Sequence, residues 1–405
     1  MAHRTILTPK QREVLFGLPA DEAQLLKHCT LSDEDLDHIG QRRRPRNRLG
    51  FALQLCALRY PGRALLPGEV IPVEITDFLA AQLGLKDADL DAYAAREETR
   101  HEHMASLRQL YGYRTFSGRG ARDLKLWLDG QAEHAVSNED IARRFVEECR
   151  RTLTILPAIS TIERLCADAL VAAEKRIETR IADRLSDDEC AVLDDLLSEM
   201  VEDRLTRFVW LRKFEIGNNS AAARRLLDRL DNLRQIDVSP DVFQGVPDHR
   251  ITRLRRQGER YFADGLRDLP DDRRHAILAV CVSEWRRAIA DAVVETHDRI
   301  VGRTWREAAR LCDDRMDGAQ PEVRQTLRSF RDMGTALLEA KNDDVSLEDA
   351  ISSSPGWTDL QTLVAVAARL TDTLSSDPIS HVVQGHKRFR RYAPRMLRLL
   401  EIDGA

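Results

Sequence analysis

The sequence has little of what most enzyme and membrane classes require. Its seven cysteines (Cys29, Cys56, Cys149, Cys166, Cys190, Cys281, Cys312) are scattered and odd in number, with no CxxC pair. That excludes a zinc-finger spacing and a disulfide scaffold and leaves reduced core thiols. No stretch approaches the roughly 18 uninterrupted apolar residues of a membrane helix, and MAHRTILTPKQREVLFG carries no apolar leader segment. The expected setting is therefore the cytoplasm, with no membrane partner. There is no P-loop, no GxGxxG after a strand, no GxSxG and no HExxH. HEH at His101 to His103 sets its histidines about 200° apart on a helix, wrong for shared metal ligation, and reads as surface. The acidic residues cluster at helix starts and form no pair suited to two-metal chemistry. No catalytic residue, metal site or cofactor is expected. A basic excess is missing too: 62 Lys and Arg stand against 67 Asp and Glu, a net charge of −5, so only local charge can support nucleic-acid binding.

What is present is helical. Aromatics make up 5% and charged residues 32%, the latter spread among apolar positions at helical spacing, which predicts an all-α class. Thr8-Pro9, Ser32 before an acidic turn, Pro72 before VEITDFLAAQLG, and Ser160 with Glu163 as a capping box mark helix starts. Breaks fall at Tyr60-Pro61-Gly62, Pro67-Gly68, Leu156-Pro157 and Ser239-Pro240. No run shows strand alternation. Residues 1–157 are expected to form a bundle of short helices with a helix-turn-helix-like element, 158–270 a helical linker region, and 271–405 a long-helix region for dimerisation or further DNA contact. Ile162, Cys166, Ala169, Ala173, Ile177 and Ile181 form one helical stripe; Leu278, Val282, Trp285, Ile289, Val293 and Ile300 form another. The second predicts a helix from near Asp272 to about Cys312, roughly 60 Å long.

Four basic runs are candidates for DNA contact. QRRRPRNRLGFALQLCALRYPGR, Gln41 to Arg63, holds seven arginines (Arg42, Arg43, Arg44, Arg46, Arg48, Arg59, Arg63) and no acid. It follows the acidic helix SDEDLDHIG, so the pattern is helix, basic turn, helix. Guanidinium groups at a helix N-terminus add to the positive end of the dipole and favour phosphate. Leu49, Phe51, Leu53, Leu55 and Leu58 would anchor the second helix, with Arg48 and Arg59 on one stripe. The alternative is a solvated turn paired with carboxylates such as Asp35 and Asp37. YGYRTFSGRGARDLKLW carries Arg114, Arg119, Arg122 and Lys125 beside Tyr111, Tyr113, Phe116 and Trp127, with Ser117 placed to cap the next helix and glycines allowing close approach. HRITRLRRQGER (Arg250, Arg253, Arg255, Arg256, Arg260) and GHKRFRRYAPRMLR (Lys387, Arg388, Arg390, Arg391, Arg395, Arg398) are equally basic. Either tracks a backbone or pairs with acidic faces such as Asp187, Asp188 and Glu189.

LFGLP (15–19), LSDEDL (31–36), NRLGFALQLCALRYPGR (47–63), AAQLGL (80–85) and YGYRTF (111–116) resemble, in this order, the N-terminal region of the Tn3 family of bacterial transposases. The resemblance continues through LPAISTIERL (156–165), THDRIVGR (296–303) and RRYAPRMLRLLE (390–401). It implies the DNA-binding and helical linker part of a replicative transposase that binds terminal inverted repeats, pairs the ends and joins them to target DNA. In that family an RNase-H-like domain with an acidic metal-binding triad follows towards the C-terminus; no position here matches its motif. The implied partners are double-stranded DNA at transposon ends and a homodimer or the full-length transposase, with nucleoid association when bound. The competing expectation is a helical oligomerisation or interaction protein, a remnant or regulator without DNA cleavage.

Overall fold

The computed structural model describes residues 5–66, 68–85, 97–202, 205–343, 346–353, 356–374 and 377–401, and is 76% helical with 2% strand, an all-α protein. Pro67, named above as a break, lies outside these residues. The chain divides into two compact units: 1–184 with 243–253 and 271–276, and 185–242 with 254–270 and 277–405. This grouping follows packing, whereas the division at 157 and 270 followed chain order.

The first unit contains two cores. In one, α2 (Glu22–Cys29), α3 (Asp33–Gly40), α4 (Pro45–Arg59), α5 (Val73–Leu83) and α6 (Glu97–Tyr111) enclose Leu25, Ile39, Phe51, Leu55, Ile75 and Leu107. In the other, α1 (Pro9–Phe16), α7 (Gly118–Ala132), α8 (Asn138–Arg151) and α9 (Ile159–Ala182) enclose Phe16, Leu128, Phe145, Ile162 and Cys166. Capping chemistry sets most of the starts. The Thr8 and Ser32 hydroxyls accept the Gln11 and Asp35 amides in reciprocal capping boxes, and Gly84, at φ 64°, closes α5 in the left-handed region. The box expected of Ser160 and Glu163 does not form, because α9 begins at Ile159 after an Ala158 cap. Glu163 is buried and turned to other work: it accepts from the Leu7 amide at 3.1 Å and from Arg12 at 3.1 and 2.6 Å, fastening the N-terminal segment to α9.

Strands were not expected, and two short pairs form. Arg114–Thr115 (β1) runs parallel to Thr154–Ile155 (β2), and Met200–Glu202 (β3) runs antiparallel to Leu205–Thr206 (β4). Two or three residues leave no room for an alternating pattern to register in a sequence.

The first core is tied together by one buried carboxylate. Asp35 accepts both 2.8 Å contacts from the Arg59 Nη2, the Ser32 amide at 2.8 Å and the Tyr111 hydroxyl at 2.8 Å, joining α3, α4 and α6. Burial alone would raise the Asp35 pKa; the Ser32 amide, Arg59 and Tyr111 outweigh it and hold the carboxyl below its ordinary value. His103, expected at the surface, is buried with its ring edge-on to Phe51, and burial with nearby Arg42 depresses its pKa to about 4.

The second unit is built on α15 (Asp271–Asn342), most of which lies in it. Before it come α10 (Asp187–Ser198), α11 (Arg207–Arg212), α12 (Ser220–Arg234), α13 (Asp248–Arg260), which belongs to this unit from Leu254 onward, and α14 (Ala263–Arg267). After it come α16 (Leu347–Ser353), α17 (Trp357–Leu374), α18 (Pro378–Gln384), α19 (Lys387–Arg390) and α20 (Ala393–Leu399). Ile277 to Val282 are buried all round, and Trp285, Ile289, Val293 and Ile300 continue the expected stripe. The helix is longer than its predicted end near Cys312: it has 72 residues, about 110 Å at 1.5 Å each, and passes through Pro321. The extension rests on a buried row of small and flexible side chains, Cys312, Ala319, Thr326, Met333 and Ala340, spaced by sevens. Gly258 lets α13 approach α15: a Cβ there would collide with Cys281 Sγ and lie 3.0 Å from Ile277 Cγ2.

Gly258→Val should lower unfolding free energy by about 1–3 kcal/mol in urea titrations, and a variant as stable as the parent would contradict the close approach. Stability should also fall in two stages from about pH 8 to about pH 3. His103 is favoured neutral, so its contribution is complete above its unfolded pKa of about 6.5 and is lost towards about 4. Asp35 contributes above its unfolded pKa of about 3.9 and loses that contribution as pH falls through the lower folded value. His103→Phe should flatten the upper stage and Asp35→Asn the lower; an upper slope unchanged in H103F would refute the assignment.

Candidate nucleic-acid interface

The first basic run lies where the pattern placed it, with α3, a four-residue turn and α4, but the helix that would enter a groove is not available. Every residue from Leu49 to Leu58 is buried, so the body of α4 is core on all sides. The aliphatic anchors were assigned correctly; they use the whole circumference. Four of the seven arginines are also absorbed by the fold. Arg59 serves Asp35. Arg63 pairs with Glu69 and donates to the Phe16 carbonyl at 2.9 Å. Arg48 donates to the Arg42 carbonyl at 2.8 Å and the Gly40 carbonyl at 3.4 Å, satisfying the end of α3. Arg42 donates to Ser106 Oγ at 2.8 Å while its guanidinium lies 4.3 Å over the Phe51 ring. The shared stripe of Arg48 and Arg59 is therefore an internal one.

Arg43, Arg44 and Arg46 remain. Among the described residues their side chains have no hydrogen bond or ion pair; Arg43 and Arg44 are exposed and Arg46 is half-buried. They surround the first turn of α4, where Arg44 occupies the cap position without capping, so the helix dipole and three guanidinium groups add at one surface point.

The second run forms an open basic surface. On α7 the residues Ala121, Leu124, Leu128 and Ala132 face the core, while Arg119, Arg122 and Lys125 are exposed. Arg114, on β1, is exposed directly ahead of the helix. Arg119 has only a loose contact with Asp123 at 3.9 Å; Arg114, Arg122 and Lys125 have no side-chain partner among the described residues. The aromatics divide as core residues do: Phe116 and Trp127 pack on one core, Tyr111 and Tyr113 on the other.

The two ends of α7 are treated differently. Ser117, expected to cap it, turns its hydroxyl to Thr115 Oγ1 at 3.0 Å instead, and the N-terminal amides of Gly118, Arg119 and Gly120 have no partner among the described residues. Gly118 and Gly120 have nothing within 4 Å of where a Cβ would lie, which leaves the backbone open to approach. At the other end Arg250, buried, donates to the Ala132 carbonyl and to those of Glu133 and Ala135 at 3.3 Å each. The C-terminal carbonyls are neutralised internally, so the unsatisfied polarity of the helix faces solvent at its N-terminus, among cations.

The remaining runs are largely spoken for. Arg253 pairs with Glu174 at 2.5 Å, and Arg255 with Glu259 at 2.9 Å and Glu284 at 3.6 Å, so the partners are these glutamates and not Asp187, Asp188 or Glu189. In the last run Arg388 pairs with Glu307 at 2.6 Å, and Arg395 with Asp228 and, at 3.0 Å, Asp231. Lys387, Arg390, Arg391 and Arg398 stay exposed and unpaired among the described residues, on two helices of four and seven residues and, for Arg391, in the turn between them. No group of three or more His, Cys, Asp or Glu among the described residues could hold a metal ion. Sequence reasoning missed Arg250 as the residue that holds α7, because its carbonyl partners lie more than a hundred positions away.

Residues 6–169 match a family described as a domain of unknown function (DUF4158). The whole chain is 30% identical to the transposase for transposon Tn3926 of Escherichia coli and 30% identical to that for transposon Tn501 of Pseudomonas aeruginosa, spanning 41% of each. It is 27% identical over 404 residues to the transposase for transposon Tn1546 of Enterococcus faecium, covering 98% of this chain and 40% of that protein. The chain thus spans about two fifths of the length of the relatives it matches, and over its whole length it is similar to the N-terminal part of Tn3-family transposases.

Proposed function

We propose that these residues form the part of a transposase that binds the terminal inverted repeats of its transposon as duplex DNA. The observation that carries the reading is α7: an uncapped, solvent-facing N-terminus flanked by Arg114, Arg119, Arg122 and Lys125, on a helix whose opposite end is locked internally by Arg250. Backbone amides and guanidinium groups at one helix end suit phosphate oxygens, which fix a protein on the duplex, while base edges supply sequence preference. The turn of Arg43, Arg44 and Arg46 is a second contact in the first unit. Binding, and not strand cleavage, is the task assigned here; the relatives have some three fifths of their length beyond the match. The acidic total charge of −5 fits this reading if the basic surface is confined to such patches.

The test is fluorescence anisotropy with the terminal repeat of the element and a scrambled duplex, titrated with salt. Repeat DNA should bind more tightly, with log affinity falling by about 0.9 for each phosphate neutralised per tenfold rise in salt. Changing Arg119, Arg122 and Lys125 together to Ala should reduce that slope by about 3 units, and changing Arg43, Arg44 and Arg46 should act in the same direction. Arg59→Ala should instead cost about 3 kcal/mol of stability, by stranding Asp35, and leave the slope of the folded fraction intact. Equal affinity for both duplexes would defeat the specificity; an unaltered slope in both triple variants would defeat the surfaces.

A further inference from the structure

In the second unit a cleft of about 380 Å³ opens between the segment that follows α11 and one face of α12. Lys213, Phe214, Glu215, Arg225, Leu226 and Arg229 line it, and its size is that of a small-molecule pocket. Three cations and one acid converge there, in a chain whose total charge is −5.

Two of the cations are unclaimed. The Lys213 and Arg225 side chains are exposed and have no hydrogen bond or ion pair among the described residues. Other arginines of the unit are answered one turn away along their own helix: Arg255 by Glu259 at 2.9 Å, Arg299 by Glu295 at 2.5 Å and Arg303 by Glu307 at 2.9 Å. Asp228, three residues after Arg225, is placed to do the same, but it pairs with Arg395. The third cation is fixed in position. Arg229 donates from Nε to the Trp210 carbonyl at 3.0 Å and from Nη1 to the Arg225 carbonyl at 3.1 Å, with its guanidinium 4.6 Å over the Trp210 ring. Arg225 and Arg229 stand four residues apart, so like charges share one face of α12, which costs the helix stability unless an anion answers them. Lys213 is positioned by its neighbour, because Arg212 donates to the carbonyls of Gly258, Glu259 and Tyr261 at 3.4, 3.1 and 2.7 Å.

The rest of the lining narrows the choice of anion. Phe214 is half-buried and Leu226 buried, so an apolar wall stands beside the cations. Glu215 is exposed, has no partner among the described residues, and as a carboxylate can only accept. Inorganic phosphate would engage the cations and leave the ring and the carboxylate idle. A nucleotide engages all of them: phosphate oxygens on Lys213, Arg225 and Arg229, the base on the Phe214 ring, and sugar hydroxyl or base amino groups donating to Glu215. We propose that this cleft binds a nucleoside phosphate. The backbone of a duplex suits it badly, because Glu215 would repel the phosphates on either side of the bound one. The nucleotide is therefore free in solution or the unpaired end of a strand. The site lies wholly in the second unit and does not rest on the DNA contact proposed above for the first.

Isothermal titration of the full 405-residue chain with guanosine or adenosine monophosphate, the matching nucleosides and inorganic phosphate tests it. A monophosphate should bind about tenfold or more tightly than either of its parts alone. Lys213→Glu and Arg225→Glu should each weaken it by about tenfold or more, whereas Arg224→Glu, at the next position on α12 and outside the cleft, should change it little. Phe214→Leu should weaken the monophosphate and leave inorganic phosphate unchanged, and Phe214→Tyr should keep the parent's affinity. Helicity and anisotropy with repeat DNA should match the parent in every variant, which separates this site from the first unit's. Competition with an unpaired oligonucleotide bearing a 5′ phosphate identifies the source: displacement assigns the cleft to a strand end, retention to free nucleotide. No binding of either monophosphate at about millimolar concentration, equal affinity for inorganic phosphate, or affinity unmoved when Lys213→Glu and Arg225→Glu are combined would each overturn the proposal. So would cleft variants that lose affinity for the repeat duplex in a chain that binds no nucleotide, which would mark a backbone contact instead.

Discussion

A carboxylate with almost no access to water must be surrounded by donors or it will not stay ionised, and Asp35 shows how far that requirement reaches. It draws Arg59 inward from the end of α4, fixes the Tyr111 hydroxyl at the end of α6, and closes the first turn of α3 through Ser32. Once Arg59 is engaged, α4 is pinned at its C-terminal end, and the buried sequence from Leu49 to Leu58 can be enclosed on every side. Only the other end of that helix is left to meet a partner. The distribution of free positive charge in the first unit follows from which guanidinium groups the interior has already claimed.

That selection is what the linear sequence conceals. The stretch from Gln41 to Arg63 contains no acid, yet Arg59 and Arg63 find Asp35 and Glu69 just outside it, while Arg42 and Arg48 are satisfied by a hydroxyl and by carbonyls that no composition count registers. Absence of acid along a chain is not absence of acceptors in space. The elements themselves were legible, because caps, proline starts and apolar periods are local: α1, α3, α5 and the two long stripes lie where their residues place them. What failed was long-range. Glu163 answers Leu7 and Arg12 instead of its own helix start, Ser117 answers Thr115 instead of α7, and His103 turns inward against Phe51.

The surface around α7 is one basic run among several in the sequence, and what sets it apart lies in space. Its cations lie on the outer face of a helix whose inner face is apolar, so they are not needed for folding. Its polarity is unbalanced because Arg250 satisfies one end only. The family relationship and this asymmetry are independent lines of support, one from descent and one from electrostatics.

Two rows run along α15, a buried one from Cys312 to Ala340 and an exposed one of Val294, Trp305, Met316, Leu327 and Leu338. The covered row advances by sevens and the open row by elevens, and on a straight helix these drift in opposite senses, each by about 20° per repeat. Near Cys312 and Met316 the two rows are neighbours; by Leu338 and Ala340 they have separated to nearly opposite sides of the cylinder. Tightening contacts along the first row asks the helix for a left-handed twist, and tightening along the second asks for a right-handed one. The outer half of α15 is thus torsionally shared: whatever grips one row hardest unwinds the grip on the other.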